Sequence, residues 1–310
     1  MTTSTNSEPI DRTQPKRYGA IGIGALVVAI VALAIPGGSG LLSAPKAIVL
    51  GAVEGITEYL PVSSTGHLLV TERLVDLGKG AGKTAADTYA IAIQLGAILA
   101  VVALYRRRIG QLAAGLVGRD TQGRVILVRL LVAFLPAAII GVALDHPIKD
   151  HLFGPWPVVA AWAAGGAFLL WWTPRHGTAT IDQITVRSAA IIGVAQALAL
   201  WPGVSRSLVT IVAALAVGCD MVAALEFSFL LGLATLSAAT ALDMAKDGDT
   251  LLRDYGWRTP LLGVLVAFAT ALVAIRWLVT YLRTRPLARF GWYRLAIATV
   301  TVVLIATGAV

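Results

Sequence analysis

Between Glu54 and His67 the chain reads EGITEYLPVSSTGH, placing two acids, two adjacent serines, a threonine and a histidine within fourteen residues. Glu54 and Glu58 stand four apart, so a helix presents both carboxylates on one face. Like charges that close are unfavourable in a low dielectric unless a cation or a shared proton lies between them. A hard, oxygen-seeking ion, Mg²⁺ or Ca²⁺, is the natural metal partner of this pair. Pro61 should end the helix, because its ring removes a donor and clashes with the preceding turn. Ser63, Ser64, Thr65 and Gly66 then form a turn of small residues offering hydroxyls and amide donors at a helix start. Alone, that turn is an ordinary N-cap. Preceded by two acids and followed by His67, it becomes a candidate nucleophile and acid–base set.

A second polar turn reads WPGVSRS from Trp201 to Ser207, with Thr210 one turn further on. Arg206 presents a planar fork of donors suited to phosphate oxygens. The competing reading is a buried ion pair with Glu226 or Asp243. An acid pair with a metal and a hydroxyl on one turn, and an anion clamp on the other, are the parts phosphoryl transfer requires.

The elements that must position these residues belong to a membrane protein. Hydrophobic residues make up 57% of the 310, charged residues only 14%, and the mean hydropathy is +0.79. Apolar stretches near the roughly 20 residues needed to span a bilayer recur at 19–35, 87–105, 125–144, 156–172, 221–242, 259–282 and 291–310. The expected fold is therefore all-α and polytopic, with about seven transmembrane helices. The net charge of +8 does not indicate nucleic acid, because the basic residues cluster in short loops at span ends. Trp156, Trp171, Trp172, Trp257 and Trp292 fall near those ends as interfacial anchors. Cys219, the sole cysteine, cannot form an intramolecular disulfide and reads as a small helix-end residue.

Counting Lys and Arg sets the orientation. Residues 106–124 carry Arg106, Arg107, Arg108, Arg119 and Arg124, and residues 283–294 carry Arg283, Arg285, Arg289 and Arg294, so both are expected inside. The acid-balanced loops at 145–155 and 243–258 are expected outside. Segments 45–72 and 188–216 must then each return to the side they entered from, the first dipping from the outer face and the second from the cytoplasmic face. Sliding the chain by 142 positions superposes Gly51 on Gly193, Val62 on Val204, Ser63 on Ser205, Glu54 on Gln196 and Tyr59 on Trp201. Opposed re-entrant hairpins related by an offset match are the pattern of an inverted-topology repeat, here about 45–144 and 188–282. The remaining organisation is a disordered cytoplasmic tail at 1–17, an extra N-terminal helix at 18–40 read as an uncleaved signal anchor, and a membrane domain at 41–310.

The run from Glu54 to Leu68, IQLGAILAVV (Ile93 to Val102), LALWPGVSRS (Leu198 to Ser207), and EFSFLL with TALD (Glu226 to Leu231, Thr240 to Asp243) closely resemble the undecaprenyl-diphosphatases of the bacitracin-resistance type. The resemblance covers roughly 45–310. It implies removal of one phosphate from undecaprenyl diphosphate at a site open to the extracytoplasmic side of the cytoplasmic membrane, which recycles the cell-wall lipid carrier. It assigns Glu54 and Glu58 to a metal-linked acid pair, Ser64 to the nucleophile, His67 to proton transfer and Arg206 to the diphosphate. Ser63, Thr65, Gln94, Ser205, Ser207 and Thr210 are assigned as lesser contacts. Ser64 either forms a phospho-enzyme or orients water. The expected partners are the lipid substrate, membrane lipids and, as an option, a second copy in a homodimer. Leu208 stands where the family usually has Gly, which puts a close backbone approach to phosphate in question. The competing function is an anion or polyprenyl-phosphate carrier, since inverted repeats with broken helices also describe transporters.

Overall fold

The computed structural model describes residues 26, 28–33, 42–78, 83–172 and 177–310. The expected tail at 1–17 and most of the expected first span lie outside these residues. Residues 28–33 are helical, and Ile30 and Leu33 pack against a buried cluster that includes Leu50, Tyr89 and Leu262.

Thirteen named helices follow: α1 (Ala44–Thr57), α2 (Ser64–Leu74), α3 (Lys83–Ala92), α4 (Gln94–Leu104), α5 (Arg106–Leu116), α6 (Thr121–Ala143), α7 (Asp145–Leu152), α8 (Pro155–Trp171), α9 (Val186–Gln196), α10 (Arg206–Ala216), α11 (Met221–Tyr255), α12 (Arg258–Leu282) and α13 (Ala288–Ala306). The described residues contain no strand, only an isolated bridge between Ala179 and Cys219. Five helical units are long and apolar enough to cross a membrane: Lys83–Leu104 (α3 with α4), α6, α11, α12 and α13. A sixth arises if α7 and α8, bent by 92°, count as one broken span. The protein is thus an all-α polytopic membrane protein, and six of the seven expected spans coincide with helices.

The loops expected between spans are largely helical. Residues 106–116 form α5, and 145–152 form α7. The outer loop expected at 243–258 is instead mostly the end of α11, which runs unbroken to Tyr255 before Gly256, at φ 69°, turns the chain into α12. At 1.5 Å per residue, 35 residues span about 52 Å, far beyond a hydrocarbon core of about 30 Å. Alanine, leucine and the i, i+3/i+4 spacing of its charges let the helix continue where a charge count alone indicates a loop.

Two broken hairpins sit between these helices. α1 stops at Thr57, four residues before Pro61, whose ring would clash with the Thr57 carbonyl. α2 then starts after Ser63, at φ 72° and ψ 103°, with the Ser63 hydroxyl accepting from the Gly66 amide at 3.4 Å. The second hairpin repeats this arrangement. α9 gives way to a 3₁₀ turn at Ala197–Leu200, and α10 starts after Ser205, at φ 74° and ψ 109°, whose hydroxyl accepts from the Leu208 amide at 3.2 Å. A positive φ is costly for a residue with a Cβ. Among the described residues only one further non-glycine, Asp76, adopts it.

The correspondence extends to packing. α1 packs chiefly on α12, and α9 chiefly on α6. Gly51 permits the first contact, because a Cβ there would overlap the Gly263 carbonyl. Its offset partner Gly193 lies equally close to the backbone of Ala133. α8 and α13 close the other side of the tips by packing on each other.

Candidate active site

The two tips meet. Glu58, in the first turn of the break, accepts from Arg206 Nη2 at 2.8 Å through Oε1 and from the Ser64 hydroxyl through Oε2. Glu58 and Ser64 are buried, and only 12% of the Arg206 side chain is exposed. Arg206 Nη1 donates to the Ser228 carbonyl at 2.9 Å, and its Cζ lies 5.2 Å from the Tyr59 ring centroid. Gly232 makes room for the guanidinium, since a Cβ there would overlap it. Arg206 Nε has no partner and remains a spare donor. The ion pair with Glu226 or Asp243, the competing reading of Arg206, is not formed. Glu226 is taken by Arg108 Nε at 2.6 Å, and Arg206 pairs across the tips instead.

Glu54 is fully buried, and neither of its carboxylate oxygens has a partner. A carboxylate left so is costly unless a cation or a proton accompanies it. Among the described residues no group of three or more His, Cys, Asp and Glu is placed to hold a metal. The buried, unpartnered Glu54 with Glu58 beside it would suit an ion that takes one or two carboxylates and completes its shell with water and phosphate oxygens, as Mg²⁺ does.

His67 is not joined to Ser64. Its Nδ1–H donates to the Ser63 carbonyl at 2.7 Å, which in the neutral ring leaves Nε2 to accept from Tyr293 OH at 2.8 Å. The acceptor in contact with the Ser64 hydroxyl is Glu58. Ser205 and Ser207 face the other tip: Ser207 donates to the Leu60 carbonyl at 2.7 Å, and the Ser205 hydroxyl lies 3.4 Å from it and 3.0 Å from Ser207. Thr210 bonds the Arg206 carbonyl at 2.8 Å and the Ser228 hydroxyl at 2.7 Å. Thr65 and Gln94 are half-buried, Gln94 opening α4 after the one-residue break at Ile93. Leu208 points into the main hydrophobic cluster, and its amide is used by Ser205.

Sequence reasoning missed the group that joins the tips. Arg294, expected in a cytoplasmic loop segment, is 0% exposed. It donates to Gly203 O at 2.8 Å, Ala161 O at 2.9 Å and Pro61 O at 3.4 Å. Trp162 Nε1 donates to Val62 O at 2.8 Å. Four successive carbonyls, of residues 60 to 63, thus find side-chain donors: Ser207, Arg294, Trp162 and His67. Irregular backbone away from water persists only with such partners. An arginine inside the apolar stretch at 291–310 was the available signal; counting it as an orientation marker concealed it.

This constellation defines a class: a polytopic helical membrane protein whose two broken hairpins bring a carboxylate, a serine hydroxyl and a guanidinium together. The profile of the family "Bacitracin resistance protein BacA" matches residues 47–300, and the chain belongs to that family. Among its relatives, an undecaprenyl-diphosphatase of Sorangium cellulosum is 44% identical over 81% of this chain and 83% of its own length. Another from Rhodopseudomonas palustris (strain BisA53) is 41% identical, over 85% and 97%. An undecaprenyl-diphosphatase 2 of Rhodospirillum rubrum is 42% identical, over 86% and 96%.

Proposed function

We propose that this protein hydrolyses undecaprenyl diphosphate to undecaprenyl phosphate and phosphate, returning the lipid carrier to cell-wall synthesis and so conferring bacitracin resistance. The observation that carries the chemistry is the Ser64 hydroxyl donating to Glu58, whose other oxygen is held by Arg206. Glu58 is placed to accept the Ser64 proton. Ser64 Oγ then attacks the terminal phosphorus, the bond to the bridging oxygen breaks, and undecaprenyl phosphate leaves. Water hydrolyses the phosphoserine and restores the hydroxyl. In the variant of this scheme that leaves Ser64 unmodified, the same hydrogen bond orients the attacking water. Acid-quenched turnover separates the two, since only the covalent route leaves phosphate on Ser64.

Arg206 is neutralised by Glu58 in the free protein, so an incoming diphosphate competes for the guanidinium while Nε offers a second donor. A divalent ion, Mg²⁺ or Ca²⁺, held through Glu54 with Glu58 beside it, would offset negative charge on the phosphate oxygens. His67 fixes the Ser63 carbonyl, and with it the turn that aims Ser64. The arginine-rich ends at 106–124 and 283–289 support a site reached from the extracytoplasmic side of the cytoplasmic membrane.

The test is phosphate release from undecaprenyl diphosphate by the purified protein in detergent with Mg²⁺ or Ca²⁺. Release that is lost in Glu58→Gln is expected. Release no greater than from a boiled control removes the enzymatic reading and leaves a carrier.

A further inference from the structure

Beside the first tip lies a cavity of about 300 Å³ that no step above uses. Its walls include Ile56, Thr57 and Leu60 from the first hairpin, Trp277 from α12, and Phe290 and Tyr293 from α13. Ligand pockets commonly measure about 300–1,000 Å³, so this one suits a short segment of a chain. The walls are mostly apolar and the aromatic ones are mutually braced. Trp277 stacks on Tyr281 with centroids 4.7 Å apart, and Phe290 meets both rings edge-on. Ile56 and Trp277 are 45% and 47% exposed, so the mouth faces outward, where a lipid-borne chain can enter without crossing water.

The cavity is lined by close neighbours of the candidate site. Thr57 and Leu60 flank Glu58 in sequence, and the Leu60 carbonyl is the one held by Ser207 of the second tip. Tyr293 both lines the cavity and bonds His67. We propose that this cavity binds the isoprene units of the substrate that lie nearest the diphosphate, making it the determinant of the chain requirement. The proposal rests on the diphosphatase reading. A methyl-branched, unsaturated chain fills an aromatic slot well, because rigid rings offer large contact areas at little entropic cost. Arg289, which donates to Tyr281 OH at 3.4 Å, also lines the cavity, where its stem can lie alongside a chain while its charge reaches the membrane surface.

The experiment compares a ligand that has a chain with one that has only the headgroup, in the full-length protein in detergent. Ile56→Trp fills the slot from an exposed position, and Trp277→Ala removes a wall. Each is measured for KM and kcat with farnesyl diphosphate and for the inhibition constant of inorganic pyrophosphate. The expected result for Ile56→Trp is a KM for farnesyl diphosphate raised about tenfold or more, the range for a perturbed apolar pocket, with kcat and pyrophosphate inhibition unchanged. Trp277→Ala should move KM the same way by less. Equal changes for farnesyl diphosphate and pyrophosphate would overturn the proposal, as would no change in either variant. So would relief of inhibition by added phosphatidylglycerol in Arg289→Ala, which would make the cavity a phospholipid headgroup site. If the wild type releases phosphate from no polyprenyl diphosphate, the diphosphatase reading itself fails and this proposal falls with it.

Discussion

The two hairpin tips share a backbone and divide the chemistry. Each breaks at a serine with φ near 73°, caps the next helix with that serine's hydroxyl, and is preceded by a glycine packed against a helix of the other half. At the first helical position after the break, one tip has Ser64 and the other Arg206. Where the first has Glu54 and Glu58, the second has Gln196 and Leu200; where the first has His67, the second has Val209. Divergence at a few offset-matched positions sets a carboxylate of one tip against a guanidinium of the other, at 2.8 Å. The backbone thus serves both halves equally, whereas the reactive groups are unequal by necessity.

The sharpest way to break this complementarity is Glu58→Gln. It removes the base beside Ser64 and the counter-charge from Arg206 together, and should lower kcat by about 10²–10⁴-fold or more, with expression intact. Arg206→Ala should follow closely, because it strips the anion clamp and leaves Glu58 buried beside an unpaired site. About 2–5 kcal/mol is the usual cost of breaking such a pair, read as a lower kcat/KM and a lower melting temperature. Unchanged kinetics would refute the clamp. Arg294→Met removes the donor shared by both tips and should destabilise the fold by about 3–5 kcal/mol in detergent melting, with Arg294→Lys intermediate. The smallest effect concerns the scaffold's equality: Gly51→Ala and Gly193→Ala should each cost about 1–3 kcal/mol, as overpacking does. A large loss at one and none at the other would show that the halves are not packed alike.

Much of this was legible in the residues. The offset of 142 paired Ser63 with Ser205 and Gly51 with Gly193, and those pairs share conformation or packing. Pro61 marked the break because its constraint is local. Other contacts were illegible because they are long-range. Nothing near Arg294 in sequence announces that its partners are Pro61, Ala161 and Gly203. Nothing near His67 reveals that Tyr293, rather than Ser64, occupies its second nitrogen. α11 misled for a different reason: its charged last turns remain helical by local propensity, so polarity marked the end of the apolar stretch but not of the helix.

The carbonyl of Pro61 waits for a donor that the ribosome makes 233 residues later. Trp162 and the serines of the second tip also arrive well after the first hairpin has been synthesised. The first tip is therefore synthesised before the donors that its carbonyls accept from, and Arg294 of α13 is the latest of these donors. A chain shortened before Arg294 would leave the carbonyls of Pro61, Ala161 and Gly203 without the one side chain that gathers them.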